Sequence, residues 1–140
     1  MKKISLSFLI LLITSLSWAW PFSYFVFRVY GLDRQGALVI TYYGCEEDFN
    51  ARWPEYKHVA IHQVVRPHKV LLTDARLQDA SDSLYAIIIF LDQNDNCRHD
   101  KGELIGFTNN VPARHATWSE CSISNNYWDY VILPILLKAE

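Results

Sequence analysis

The sequence predicts an all-β protein: a single antiparallel β-sandwich of about seven strands behind a cleaved signal peptide. Three observations carry this. Short runs rich in aromatic and β-branched residues recur along the chain, separated by polar turns. No long amphipathic helix, internal repeat or low-complexity tract interrupts them. The strongest run, "LYAIIIFL" (Leu84 to Leu91), is too short and too rich in Ile for a buried helix.

The first residues set the expected compartment. "MKK" is a basic start, "ISLSFLILLITSLSWA" is apolar or small, and Ser17 and Ala19 stand before a cleavage point. This is the layout of a signal peptide over residues 1–19. The apolar core from Ile4 to Leu16 falls short of the roughly 20 residues that span a bilayer. An exported protein, periplasmic or extracellular, is expected, with no stable membrane anchor after cleavage. Removing 19 of 140 residues leaves 121, residues 20–140, which suits one domain. Lys2 and Lys3 leave with the signal, so the formal charge moves from −2 to −4. A mildly acidic chain without a basic stripe is not expected to bind nucleic acid.

The elements follow in order. "SYFVFRVYGL" (Ser23 to Leu32) and "ALVITYYG" (Ala37 to Gly44) flank a short link containing Gly36 and read as a hairpin. "CEEDFNARWPEYK" reads as a loop with room for one helical turn. "HVAIHQVV" (His58 to Val65) and "KVLLTDARL" (Lys69 to Leu77) are strands on either side of "RPH". The unbroken apolarity of Leu84 to Leu91 marks a central strand covered on both faces. "LIGFTNN" gives a short strand and turn. "VPARHATWSECSISNN" is irregular, with Thr117 to Ile123 able to pair briefly. "YWDYVILPILL" (Tyr127 to Leu137) closes the domain as a strand, and Pro134, lacking an N–H, puts it at an edge or bulge.

The stretch "LDQNDNCRHDKGEL" carries the candidate site. Hard cations such as calcium need six to eight oxygens, and one known 12-residue loop supplies them from positions 1, 3, 5, 7, 9 and 12. Counted from Asp92, those positions are Asp92, Asn94, Asn96, the backbone carbonyl of Arg98, Asp100 and Glu103. Two features depart from that loop. Cys97 stands where a Gly usually makes the sharp turn, and His99 stands where an apolar residue usually sits. Asn and Asp are also ordinary turn formers, so a bare polar turn is the competing reading. With two Asn among the ligands, any calcium affinity is expected to be weak, roughly 10⁻⁴–10⁻³ M.

"YAIIIFLDQNDNCRHDKGELIGFTNN" and "FVFRVYGLDRQGALVITYYGCEEDF" resemble the exported bacterial family known as domain of unknown function 2141. The resemblance rests on Tyr85 and Ala86 at the strand start. It continues through Asp92, Asn94, Asn96 and Asp100 in the loop, and Gly106, Phe107, Thr108, Asn109 and Asn110 in the turn. Cys97 replaces that family's loop glycine, and the segment between Asp100 and Gly106 is shorter. The resemblance implies a transthyretin-like or related β-sandwich, an exported protein and no enzyme activity.

Other constellations are weaker. Export makes a disulfide expected among Cys45, Cys97 and Cys121, with Cys97–Cys121 the preferred pair because both lie in polar connections. His58 and His62 are four apart with His68 following, and His99 and His115 stand near Cys97 and Cys121. Neither set has a zinc spacing, and no H-E-x-x-H or G-x-S-x-G is present. A non-enzymatic protein of unstated ligand and partner is therefore expected. The alternative is an extracytoplasmic binding module for glycan, peptide or protein. It would use exposed aromatics from Trp118 to Tyr130, "YWDY" included, although such rings usually pack.

Overall fold

The computed structural model describes residues 23–51, 59–64, 66–77, 84–124 and 131–139. The fold is all-β, with two sheets facing each other. Its strands are β1 (Ser23–Leu32), β2 (Gly36–Tyr43), β3 (Val59–Val64), β4 (His68–Leu77) and β5 (Leu84–Asp92). They continue as β6 (Leu104–Phe107), β7 (Ile123–Ser124), β8 (Val131–Leu136) and β9 (Lys138–Ala139). The smaller sheet is ordered β4-β1-β8 and the larger β3-β2-β5-β6-β9, with β7 pairing β5 off that path. Eight strands thus lie along the two paths, against about seven expected.

Two expectations about pairing are corrected. The runs Ser23 to Leu32 and Ala37 to Gly44 do not form a hairpin. β1 pairs with β4 and β8, while β2 pairs with β3 and β5. Phe25, Phe27 and Val29 of β1 and Leu38, Ile40 and Tyr42 of β2 belong to one buried cluster. The two strands therefore meet face to face across the core, and residues 33–35 carry the chain between sheets. The sandwich is also not wholly antiparallel. β8 lies parallel to β1, with Phe25 opposite Val131 and Tyr30 opposite Leu136. A parallel neighbour needs a long crossover, and here that crossover is most of the domain.

β5 is covered on both faces, as its sequence demands. Tyr85, Ile87, Ile89 and Leu91 point into the core between the sheets. Ala86, Ile88 and Phe90 point the other way, into a second cluster with Val39, Tyr43, Phe107 and Cys121. Two short helices help to roof that cluster: α1 (Glu46–Asn50) through Phe49, and α2 (Trp118–Cys121) through Cys121 and Trp118. The single helical turn expected after Cys45 is α1, with the Cys45 sulfur accepting from Asp48 N–H. Thr117 to Ile123 is mostly α2 rather than strand, and only β7 pairs, with Leu84 and Tyr85. The sequence signal for α2 was the Thr117-x-x-Glu120 spacing of a helix start. Pro134 lies on β8, an edge strand, as its missing N–H requires.

Candidate functional site

The loop from Asp92 to Glu103 joins two neighbouring strands of the larger sheet. Asp92 is the last residue of β5 and pairs with Ala37 of β2. Gly36 lets the backbones close there, since a Cβ would meet the Asp92 carbonyl oxygen at 2.6 Å. Thus anchored, the Asp92 side chain is only 2 % exposed. Its Oδ1 accepts from the N–H groups of Asn94 (3.2 Å), Asp95 (2.7 Å) and Asn96 (3.3 Å). Its Oδ2 accepts from Cys97 N–H at 2.6 Å. One carboxylate thereby gathers four successive backbone donors.

That wrapping forces left-handed backbone. Asp95 has φ 61° and Cys97 φ 57°. A left-handed Cys costs roughly 1–2 kcal/mol, and the Cys97 N–H bond to a carboxylate offsets it. Asp tolerates the same region because of its short polar side chain.

Glu103 closes the other end and is 5 % exposed. Its Oε1 accepts from Gln93 N–H at 2.7 Å and its Oε2 from Asp100 N–H at 2.9 Å. Glu103 N–H in turn donates to the Asp100 carbonyl at 3.0 Å. His99, which replaces an apolar residue, packs its ring edge-on to Phe90 with centroids 6.1 Å apart. Its Nε2 lies 3.1 Å from the Glu103 carbonyl oxygen. The imidazole therefore serves as packing surface and hydrogen-bonding group together, a role that sequence reasoning missed.

Asp100 sits between the two amides. Its Oδ2 accepts from Asn94 Nδ2 and from Asn96 Nδ2, each at 2.7 Å. Asn94 Oδ1 accepts from Asn96 N–H (3.2 Å), and Asn96 Oδ1 from Arg98 N–H (2.8 Å). The expected residues are thus linked within one loop, but each carboxylate is already served by N–H donors. For an ion to take the Asp100 oxygen, both amide NH₂ groups must turn away from it. Among the described residues, no group of three or more His, Cys, Asp or Glu side chains is placed to hold a metal ion. The donor chemistry suits a hard cation, whereas the present hydrogen bonds compete with one.

The Asn94 and Asn96 amides hold the Asp100 carboxyl below its usual value of 3.8. Arg34 does the same for Asp33. A depressed carboxyl stabilises the fold above its unfolded pKa, and that contribution is lost as pH falls through the folded one. Melting temperature should therefore drop as pH is lowered from about 5 to about 2. Asp100→Asn should flatten that limb. An equally steep limb in the variant would exclude Asp100 as a contributor.

The remaining candidates do not assemble. No disulfide joins any two of the three cysteines. The expected Cys97–Cys121 bridge is corrected: Cys121, the last residue of α2, is fully buried, whereas Cys97 is exposed on the loop. Trp118 is half-buried and packs at 61° to Phe49, with centroids 5.9 Å apart. Tyr127, Trp128 and Tyr130 lie outside the described residues, as does His58. His68 and His115 are exposed. Among the described residues, no helix is long and apolar enough to cross a membrane. The segment read as a signal peptide lies outside them.

No family model, curated protein or solved structure matches the chain.

Proposed function

We propose that the protein is an exported, non-enzymatic β-sandwich whose Asp92–Glu103 loop takes up calcium weakly and is stiffened by it. The observation that carries this reading is the gathering of five oxygen-bearing side chains within one short loop. Asp92, Asn94, Asn96, Asp100 and Glu103 are tied to one another and to the loop backbone by bonds of 2.7–3.2 Å. An ion that binds only the native loop stabilises the fold by mass action. The basic and then apolar start of the chain supports export.

A thermal melt in calcium and in chelator tests it. With a dissociation constant of about 1 mM, 10 mM calcium adds about 1.4 kcal/mol. That raises the melting temperature by about 5 °C. Asp100→Asn should abolish the shift while the variant stays folded in chelator. Identical melts of the unaltered protein in both buffers would remove calcium from its function.

A further inference from the structure

The Asp92–Glu103 loop also receives a donor from outside itself. Residues 33–35 carry the chain from β1 to β2, and Ala37, just beyond them, pairs with Asp92 at the start of the loop. Arg34 Nε donates to Asp33 Oδ1 at 2.9 Å. Arg34 Nη1 donates to the Gly102 carbonyl at 3.2 Å, across 68 positions of sequence. A guanidinium is a rigid planar fork, so the bond to Asp33 orients it and aims its other N–H groups. The Arg34 side chain is 36 % exposed, and as a surface ion pair with Asp33 it contributes little to stability. Its significance lies in the peptide unit that it grips.

Gly102 is the loosest joint in the closing end of the loop. It has φ +93°, and no atom stands within 4 Å of where its Cβ would be. Glycine passes between left- and right-handed angles at little cost, so its own backbone does not hold this geometry. The peptide that follows is nevertheless held on both sides. Its carbonyl, on Gly102, accepts from Arg34, and its N–H, on Glu103, donates to the Asp100 carbonyl at 3.0 Å. With that peptide fixed, the direction in which Glu103 leaves the backbone is fixed too. Glu103 then reaches back to Gln93 N–H at 2.7 Å and to Asp100 N–H at 2.9 Å. The opening end has a separate anchor, the buried Asp92 carboxylate and the N–H groups of Asn94, Asp95, Asn96 and Cys97.

We infer that Arg34 is the positioning residue for Glu103. Through the Gly102 carbonyl, the link between the two sheets sets the shape of the closing end of the loop, while Asp92 sets the opening end. One consequence rests on the calcium reading given above. Glu103 is the residue able to give an ion two oxygens at once, so Arg34 strengthens calcium binding although it is itself a cation. The positioning does not depend on that reading.

Amide exchange followed by NMR on the purified protein in chelator tests the positioning. Arg34→Met removes the donor and should quicken exchange at Gln93, Asp100 and Glu103 about fivefold. Asp95 and Cys97, held by Asp92, should exchange as in the parent, and so should β5. Arg34→Lys keeps a donor on a long stem and should recover part of the protection. Unchanged exchange at Gln93, Asp100 and Glu103 overturns the inference. So does a quickening that spreads equally to Asp95, Cys97 and β5, which would make Arg34 a support of the whole fold. Adding calcium alone then separates the two readings. Loss of a neighbouring cation by itself tightens cation binding, whereas loss of positioning loosens it. Arg34→Met should therefore bind calcium about twofold or more weakly than the parent, and tighter binding by the variant overturns the inference. A parent that does not respond to calcium removes the calcium reading, and the exchange rates then decide the positioning by themselves.

Discussion

Asp92→Ala should lower stability by about 3 kcal/mol and the melting temperature by about 12 °C. The residue is nearly fully buried, yet it packs no apolar surface; its worth lies in the donors it gathers. Four N–H groups, from Asn94, Asp95, Asn96 and Cys97, converge on its two oxygens at 2.6–3.3 Å. A hydrogen bond to a charged group contributes about 1.5–3 kcal/mol. Four do not add to four times that, because the loop tip is exposed and water can serve the N–H groups that are released. The left-handed turns at Asp95 and Cys97 would then lack the bonds that hold them. Asp92→Asn should cost about half as much. It retains one acceptor oxygen but turns an NH₂ toward the remaining donors. Urea unfolding would show the midpoint falling at unchanged slope. An alanine variant within 0.5 kcal/mol of the parent would mean that the loop is organised by something other than this carboxylate.

The loop was legible in the sequence because its chemistry is local. Oxygen-bearing side chains at Asp92, Asn94, Asn96, Asp100 and Glu103 can meet only if the chain wraps. Cys97, standing where such a loop usually has a Gly, takes the positive φ of that turn. The direction of the amides was not legible. It depends on whether Asn94 and Asn96 give oxygen to the backbone or to an ion, and spacing is the same in either case. β5 was legible for a related reason. A strand buried on both faces loses its alternation, and "LYAIIIFL" has none.

Pairing between distant segments was not legible. β1 and β2 look like a hairpin, since each is a run of aromatic and β-branched residues and only a short polar link joins them. A link of that length can equally carry the chain from one sheet to the other, and β2, buried along most of its length, has no alternation to choose between the two. The parallel β1–β8 pair joins residues more than 100 positions apart, and no local propensity records it. What the sequence did retain was its consequence at Pro134, where the missing N–H called for an edge or a bulge and the strand is an edge.

Gly31→Ala should cost about 3–4 kcal/mol, more than any other glycine replacement in the described strands. The chain leaves β8 at Leu136 and enters β9 at Lys138, passing from the smaller sheet to the larger at Leu137. Two glycines admit that crossing. Gly31 has φ +81°, and a Cβ there would collide with the Leu137 carbonyl oxygen. On the other side, a Cβ on Gly106 would meet Ile135 Cγ2 and the Leu136 carbonyl oxygen at 2.7 Å, and Leu137 Cδ2 at 2.9 Å. Retreat is costly because Leu137 N–H donates to the Tyr30 carbonyl at 3.0 Å, and Ile135 and Leu137 are both buried in the core. At Gly31 the left-handed angle adds about 1–2 kcal/mol to the collision. At Gly106 the φ is ordinary, so only overpacking acts, about 2 kcal/mol. Part of that can be absorbed by the Ile135 and Leu137 side chains, whereas the Leu137 carbonyl facing Gly31 is fixed by the bond from Leu137 N–H to Tyr30. Urea midpoints should therefore rank parent, Gly106→Ala, Gly31→Ala. Amide exchange at Leu137 should quicken in the Gly31 variant ahead of exchange in β5. Equal midpoints for all three proteins would mean that the crossing is loose, and that the C-terminal strand does not fasten the two sheets together.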